Sequence, residues 1–299
     1  MSATVHTAPH PVSRYLFPRR PSRSRLIRGL SRHAVTISLL VIMLYPIIWM
    51  VAASLRPDAQ VIGSLSPVPE NPTLDNYRIG LTPSTFLNFP RYFLNSFLVA
   101  ALAVAGNLFA STLTAYAFAR LEFPLKRVLF AILLATLLLP YQVTLVPQYI
   151  LFDQLRWLNT YLPLVVPKFL GSEAFFIFLT VQFIRGLPRD LDEAARLDGC
   201  GEWGIFRRIV LPLTMPAIGT TAMFSFIYAW NDFLGPTLYL SRPELYTVPQ
   251  GLSMFVDSTG QSTYGALFAM ATLSVAPLIG FFLASQRLLT QGIATTGLK

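Results

Sequence analysis

Six apolar stretches, each about as long as a helix needs to be to cross a bilayer, set the terms on which this chain can fold. They run at approximately 34–53, 93–118, 128–150, 161–184, 214–239 and 265–288. An α-helix rises 1.5 Å per residue, so about 20 residues traverse a hydrocarbon core about 30 Å thick. Backbone groups inside lipid must find their hydrogen bonds within the chain, so each stretch reads as a helix and the fold as an all-α membrane protein with six transmembrane helices. Of 299 residues, 54% are hydrophobic and only 12% charged, more apolar surface than a soluble domain of this size could bury. The fourth stretch is irregular: Pro163, Pro167, Lys168 and Glu173 predict a broken or tilted first third, tolerable only against protein or water.

Orientation follows from where lysine and arginine fall between the spans. Seven arginines precede residue 34, and Arg120, Lys126, Arg127, Arg185, Arg189, Arg196, Arg207, Arg208, Arg287 and Lys299 add to the same side, 17 of the 23 basic residues. Both termini and the loop at 188–213 are therefore expected to be cytoplasmic. The net charge of +9 expresses this bias and an attraction to anionic membrane lipid; it does not point to nucleic acid. Residues 1–33, rich in Pro, Ser and Arg, read as a basic, unstructured cytoplasmic arm, and residues 34–299 as one membrane domain. The first apolar run exceeds a signal-peptide core and is taken as an uncleaved span.

Several chemistries are excluded. The single cysteine, Cys200, rules out an internal disulfide and a multi-cysteine metal site. The only histidines, His6, His10 and His33, all lie in the basic leader, which leaves no imidazole for a shielded catalytic or metal centre. None of the three lysines, Lys126, Lys168 and Lys299, follows a glycine, so there is no phosphate-cradling loop. The chain is expected to be no enzyme and to carry no cofactor.

The most specific stretch is a charged island, PRDLDEAARLDGCGEWGIFRRIVLPLTMP, starting at Pro188. Asp190 with Glu193 three residues on predicts a capped helix start. Gly199 predicts an elbow, since a residue with φ > 0 is needed where one helix stops and another turns away. A second short helix, roughly 202–210, would turn Ile205, Phe206 and Ile209 to one face, with Pro212 as its stop.

Glu193, Ala194, Ala195, Asp198, Gly199, Ile209, Leu211 and Pro212 resemble, in identity and spacing, the "EAA" motif of ATP-binding-cassette importer permeases. Cys200 stands where that family usually has alanine. Ser54-Leu55-Arg56-Pro57, the run from Asn71 to Tyr77 and Ala229-Trp230-Asn231-Asp232-Phe233 resemble the carbohydrate-uptake branch, of the type paired as second subunit in maltose importers. The resemblance implies a multi-pass subunit of a bacterial or archaeal cytoplasmic membrane, forming half of a path for a sugar or sugar-like solute. It further implies a second homologous permease, an extracytoplasmic solute-binding protein, and two ATPase subunits that bind ATP and Mg and receive the 188–213 loop. Glycerol phosphate and polyols remain open as solutes, and a self-contained secondary transporter is the rival from another class.

Trp230, Asn231 and Asp232 are candidates for the solute path, because aromatic faces beside amide and carboxylate groups suit sugar hydroxyls; Asp232 could equally pair with a helix end near the interface. Asn95, Asn107 and Gln142 are read as hydrogen bonds between helices, and Ala103, Gly106 and Ala110 as a close-packing stripe. The loop from Leu55 to Tyr92, with six prolines, is expected to be external and built from turns rather than helix.

Reporter fusions test the orientation. Junctions after Lys126 and Arg196 should report cytoplasm and junctions near Asp75 and Thr259 the exterior; a cytoplasmic signal at Asp75 would contradict the six-span arrangement.

Overall fold

The computed structural model describes residues 23–84, 87–256 and 263–296 and is helical throughout, with no strand among them. The chain separates into two units, Met1–Trp49 and Met50–Lys299. The described part of the first is the N-terminal length of α1 (Arg23–Ser54), apolar and long enough from Ser31 onward to cross a membrane. Of the arm expected at 1–33, residues 1–22 lie outside the described residues, whereas 23–33 are helical and extend α1. Nothing in RSRLIRGLSRH breaks a helix: it holds no proline and one glycine, and arginine and leucine are good helix formers.

The second unit is organised on α3 (Phe89–Arg120), which packs against α6 (Leu162–Phe169), α7 (Ala174–Arg185), α10 (Met215–Asn231) and the short α12 (Val248–Ser253), with α10 resting in turn on α13 (Tyr264–Thr296). The Asn88 side chain caps α3 by accepting the Arg91 amide at 3.2 Å, and Pro90 sits in the first turn, where its missing N–H has no partner to lose. One end of α3 joins a core with Phe226, Trp230 and Met270; the other joins a core with Val181, Ile205 and Phe206. Between apolar helices in lipid, close approach and polar contacts hold the bundle. The expected inter-helix amide is found at Asn107, whose Nδ2 donates to Ser225 Oγ at 2.6 Å, whereas Asn95 Nδ2 donates to the carbonyls of Glu244 and Tyr246 in the 243–246 turn at 2.9 Å each. Gln142 is exposed. Gly106 meets α6 so closely that a β-carbon there would lie 3.0 Å from the backbone nitrogen of Phe169 and 2.7 Å from its ring.

Four helical stretches among the described residues are long and apolar enough to span a membrane, α1, α3, α13 and α6 with α7; counting two bent pairs as one span each raises this to six. The 128–150 stretch is one such pair, α4 (Lys126–Thr136) and α5 (Tyr141–Gln154), which meet at 102°. Pro140 explains the bend, since it cannot continue the hydrogen bonding of α4 and its ring disfavours helical geometry at Leu139. The fourth stretch breaks between α6 and α7 at Leu170–Glu173, bridged by an ion pair from Lys168 Nζ to Glu173 Oε1. The fifth ends at Asn231, and α11 (Leu234–Tyr239) follows after an extended Asp232.

The 55–88 loop contains a helix after all, α2 (Asp75–Leu81), which packs on α13. Side chains clamp the loop to itself: buried Arg56 donates to the carbonyls of Ser64, Ser66 and Val68, and Asn76 Nδ2 to those of Ser54 and Arg56 at 2.9 and 2.6 Å. These side chains supply donors to carbonyls of a loop whose prolines lack the N–H to do so.

Gly106→Ala should destabilise the detergent-solubilised chain by about 1–3 kcal/mol, because the neighbour is backbone and cannot yield. Gly280→Ala, where the added methyl meets nothing within 4 Å, should be neutral or stabilising by up to about 1 kcal/mol. Parallel thermal melts check the pair; equal effects would contradict the packing described.

Candidate functional site

The charged island forms a helical hairpin. Its first limb, α8 (Asp190–Leu197), does not start as expected: Arg189 occupies the cap position and no side chain caps the end. Asp190 lies one residue too far along to accept a first-turn amide. Asp190, Asp192 and Glu193 instead place three acids in the first turn, favourable against the positive end of the helix dipole. The elbow is as expected. Gly199 takes φ +83°, Cys200 donates to the Ala195 carbonyl at 2.9 Å and Gly199 to that of Arg196 at 3.0 Å, which closes the C-terminal carbonyls of α8.

The second limb, α9 (Glu202–Leu213), runs past Pro212 rather than stopping at it, and turns through 72° into α10 around Thr214. A wider turn at Phe206–Val210 precedes the proline, with the Leu211 amide reaching the Phe206 carbonyl, an i→i+5 step. Proline cannot donate to the carbonyl four residues back and its ring crowds that carbonyl; local widening accommodates both.

The hairpin has two faces, and the expected coupling residues divide between them. Ala195, Ile205, Phe206 and Val210 are buried, with Ile209 and Leu211 packed against them, in the core that includes Ala115 and Val181. Glu193, Ala194, Asp198, Gly199 and Pro212 are exposed. Two exposed apolar side chains, Leu197 and Trp203 at 90% and 64% exposure, flank the elbow and were not singled out by the sequence reading. Large apolar groups left in water beside a rigid turn point to a covered surface.

The end of α3 grips both limbs. Arg120 Nε lies 2.9 Å from Asp192 Oδ2, with the side chains only 3% and 5% exposed, and Arg120 Nη2 donates to the Leu187 carbonyl at 3.0 Å. Asp192 Oδ1 and Arg120 Nε are both buried with no hydrogen-bond partner among the described residues, so the contact is a close charge pair without an aligned hydrogen bond, and the carboxylate depends on the charge of Arg120. One helical turn earlier, the Tyr116 hydroxyl donates to Glu202 Oε2 at 2.8 Å, and its ring packs on Phe206 with centroids 5.1 Å apart. Arg196 donates to Glu202 Oε1 at 3.0 Å across the elbow, an exposed pair that solvent and salt screen. The Tyr116 hydroxyl first, and Arg196 after it, hold the Glu202 carboxyl below its ordinary 4.5. A depressed folded value means the contact stabilises above the ordinary carboxylate range and fades only as pH falls through the lowered value. Neither Arg120 with Asp192 nor Tyr116 with Glu202 is visible in a local motif, because each pair joins segments distant in sequence.

The three residues expected on the solute path separate. Trp230 is 2% exposed, stacks in the core against Phe226 and edge-on to Phe93 and Phe97, and its indole N–H donates to the Ser274 carbonyl at 3.1 Å. Within this chain it packs the core. Asn231 is exposed and its Nδ2 donates to Ile227 O at 2.8 Å. Asp232 pairs with a helix end, Oδ1 accepting the Gly235 amide at 3.0 Å in the first turn of α11, and its side chain lines a cavity of about 380 Å³ shared with Lys168 and Glu173.

Residues 107–295 match the family described as binding-protein-dependent transport system inner membrane component. The chain is 34% identical over 261 residues to the trehalose/maltose transport system permease protein MalG of Thermococcus litoralis, covering 87% of this chain and 92% of the relative. It is 30% identical over 256 residues to the diacetylchitobiose uptake system permease protein NgcG of Streptomyces coelicolor, covering 85% and 84%. Among solved structures, a chain of a bacterial ABC transporter involved in the import of the acidic polysaccharide alginate shares the fold, with TM-score 0.77, 21% identity and coverage of 90% of this chain and 99% of that one.

Asp192→Asn should cost about 3–5 kcal/mol, because it leaves the Arg120 guanidinium buried without its counter-charge. Replacing both partners by apolar residues, Arg120→Met with Asp192→Leu, should recover most of that loss. Unfolding in detergent measures both. A double variant as unstable as the single would show that the pair is not what the site depends on.

Proposed function

The chain belongs to the family of binding-protein-dependent transport system inner membrane components, and from that premise we propose that it is the permease subunit of an importer that moves a sugar or oligosaccharide and is powered by a separate ATPase. Relatives at 30–34% identity named for trehalose/maltose and diacetylchitobiose uptake support the carbohydrate assignment. The observation that carries the coupling is the hairpin itself: a rigid elbow at Gly199 with Leu197 and Trp203 projecting beside it, gripped at its base by Arg120 and Tyr116.

The mechanism follows from those contacts. The exposed face, Glu193, Ala194, Leu197, Asp198 and Trp203, seats in a groove of an ATPase subunit on the cytoplasmic side. Movement of that subunit pushes the hairpin, and α3 moves with it because withdrawal would strand a buried charge. α3 packs on α6, α7 and α10, so the push reaches the membrane helices as a body rather than as a loop displacement. ATP and Mg bind the ATPases, a second homologous permease completes the path, and an extracytoplasmic binding protein delivers the solute. This chain performs no chemistry of its own.

Gly199→Val forces a β-branched residue into left-handed geometry, at a cost of order 1–3 kcal/mol at the elbow, without any clash, since nothing lies within 4 Å of the added carbon. Glu193→Lys reverses charge in the first turn of α8. In membranes carrying the whole transporter, both variants should insert normally, retain less ATPase on purification and import carbohydrate at least tenfold more slowly. Normal import with full retention of the ATPase would overturn the coupling assignment.

A further inference from the structure

Three interruptions of apolar helices converge on one cavity. The 102° bend between α4 and α5 contributes Leu139 and Tyr141, the break between α6 and α7 contributes Ser172 and Glu173, and the break between α10 and α11 contributes Asp232. Irregular backbone at membrane depth is tolerated only where protein covers it or water fills a cavity beside it. Ionisable side chains there are costly enough to mark a solute or ion pathway by default, and here Lys168, Glu173 and Asp232 share one wall. The volume, about 380 Å³, lies within the range of about 300–1,000 Å³ typical of small-molecule sites.

We propose, resting on the importer reading above, that this cavity is a solute subsite carried by this chain, and that it selects uncharged polyhydroxylated solutes over anionic ones. The chemistry of the wall supports the selection. Two carboxyl groups face one ammonium, and that ammonium is engaged by Glu173, so an anionic solute finds no free cation and meets acidic oxygens. A neutral polyol finds acceptors in Asp232 and Glu173, the remaining donors of Lys168, and the amide of Gln148, whose oxygen accepts from the Tyr239 hydroxyl at only 3.4 Å. Tyr141, 47% exposed, supplies the apolar ring against which a sugar face can rest. The Gly235 amide donates to Asp232 Oδ1 and fixes the carboxyl in orientation on the cavity wall. Lys168 and Glu173 sit on either side of the break, so their pairing also sets the shape of this wall.

The test uses the complete transporter in proteoliposomes, with its ATPases and binding protein. A panel of neutral sugars, including trehalose, maltotriose and diacetylchitobiose, and of anionic ones, including trigalacturonate and a sugar phosphate, first establishes what is imported. Glu173→Gln and Gln148→Ala should each raise the concentration of the imported neutral sugar giving half-maximal uptake by at least fivefold, with its affinity for the isolated binding protein unchanged. Asp232→Asn with Glu173→Gln should narrow the discrimination against the anionic sugars by at least tenfold. As a readout that needs no turnover, Ser172→Cys in a Cys200→Ser background should react with a polar thiol reagent and be protected at least threefold by saturating neutral sugar. Unchanged uptake constants together with no protection of Ser172→Cys, while carbohydrate import proceeds, would overturn the subsite and leave the importer reading intact. Preferred import of an anionic sugar would overturn the selectivity. Import of amino acids or peptides with no carbohydrate moved would instead overturn the substrate class on which the proposal rests.

Discussion

A guanidinium buried at the end of a membrane helix stays charged at tolerable cost only while a carboxylate lies beside it, and in this chain that carboxylate, Asp192, belongs to the hairpin. Most surface loops are held by contacts that can be exchanged for water. This one is held by a buried charge pair, and drawing the hairpin away would separate Arg120 from Asp192 and from the Leu187 carbonyl together. Tyr116 adds a second, neutral grip one turn earlier, on the other limb, so the hairpin cannot pivot about a single point. The rest of the fold reads as an elaboration of that constraint: α3 carries both grips and is also the helix on which α6, α7 and α10 pack. A force applied to the hairpin therefore arrives at the centre of the bundle.

The bundle itself is held by means suited to lipid, where burying apolar groups gives no net drive between helices. Gly106 lets α6 approach to backbone contact, Asn107 donates across to Ser225, and Asn95 ties α3 to the carbonyls near Tyr246. α6 and α7 both pack on α3, and the break between them, like the interruptions at Pro140 and Asp232, borders the cavity.

What could be read from the sequence was what depends on neighbouring residues. The elbow was legible because Gly199 alone supplies φ > 0, and the inner face because Ile205, Phe206 and Ile209 fall at helical spacing. The bend at Pro140 was missed within an unbroken apolar run, since hydropathy measures length and is blind to direction. Pro212 was misread as a stop because a widened turn can absorb a proline, which no local rule foresees. Trp230, Asn231 and Asp232 separate because Trp230 turns into the core, Asn231 bonds back onto its own helix at Ile227, and Asp232 leaves the helix in extended backbone. Arg120 and Asp192 were invisible as a pair because charge complementarity across distant segments leaves no local signature.

The account stands or falls on whether the hairpin and α3 move as one piece. Spin labels at Leu197→Cys on the exposed flank of the elbow and Phe109→Cys on the exposed side of α3, in a Cys200→Ser background, allow the distance between them to be followed by pulsed electron resonance in the assembled transporter. With the ATPases nucleotide-free, ATP-bound and trapped after hydrolysis, the distribution should keep the same mean within about 2 Å and the same width, while the separation between this hairpin and its counterpart on the second permease changes. A hairpin-to-α3 distance that shifts or broadens with nucleotide, in a transporter that still imports its solute, would contradict the rigid linkage on which the mechanism rests.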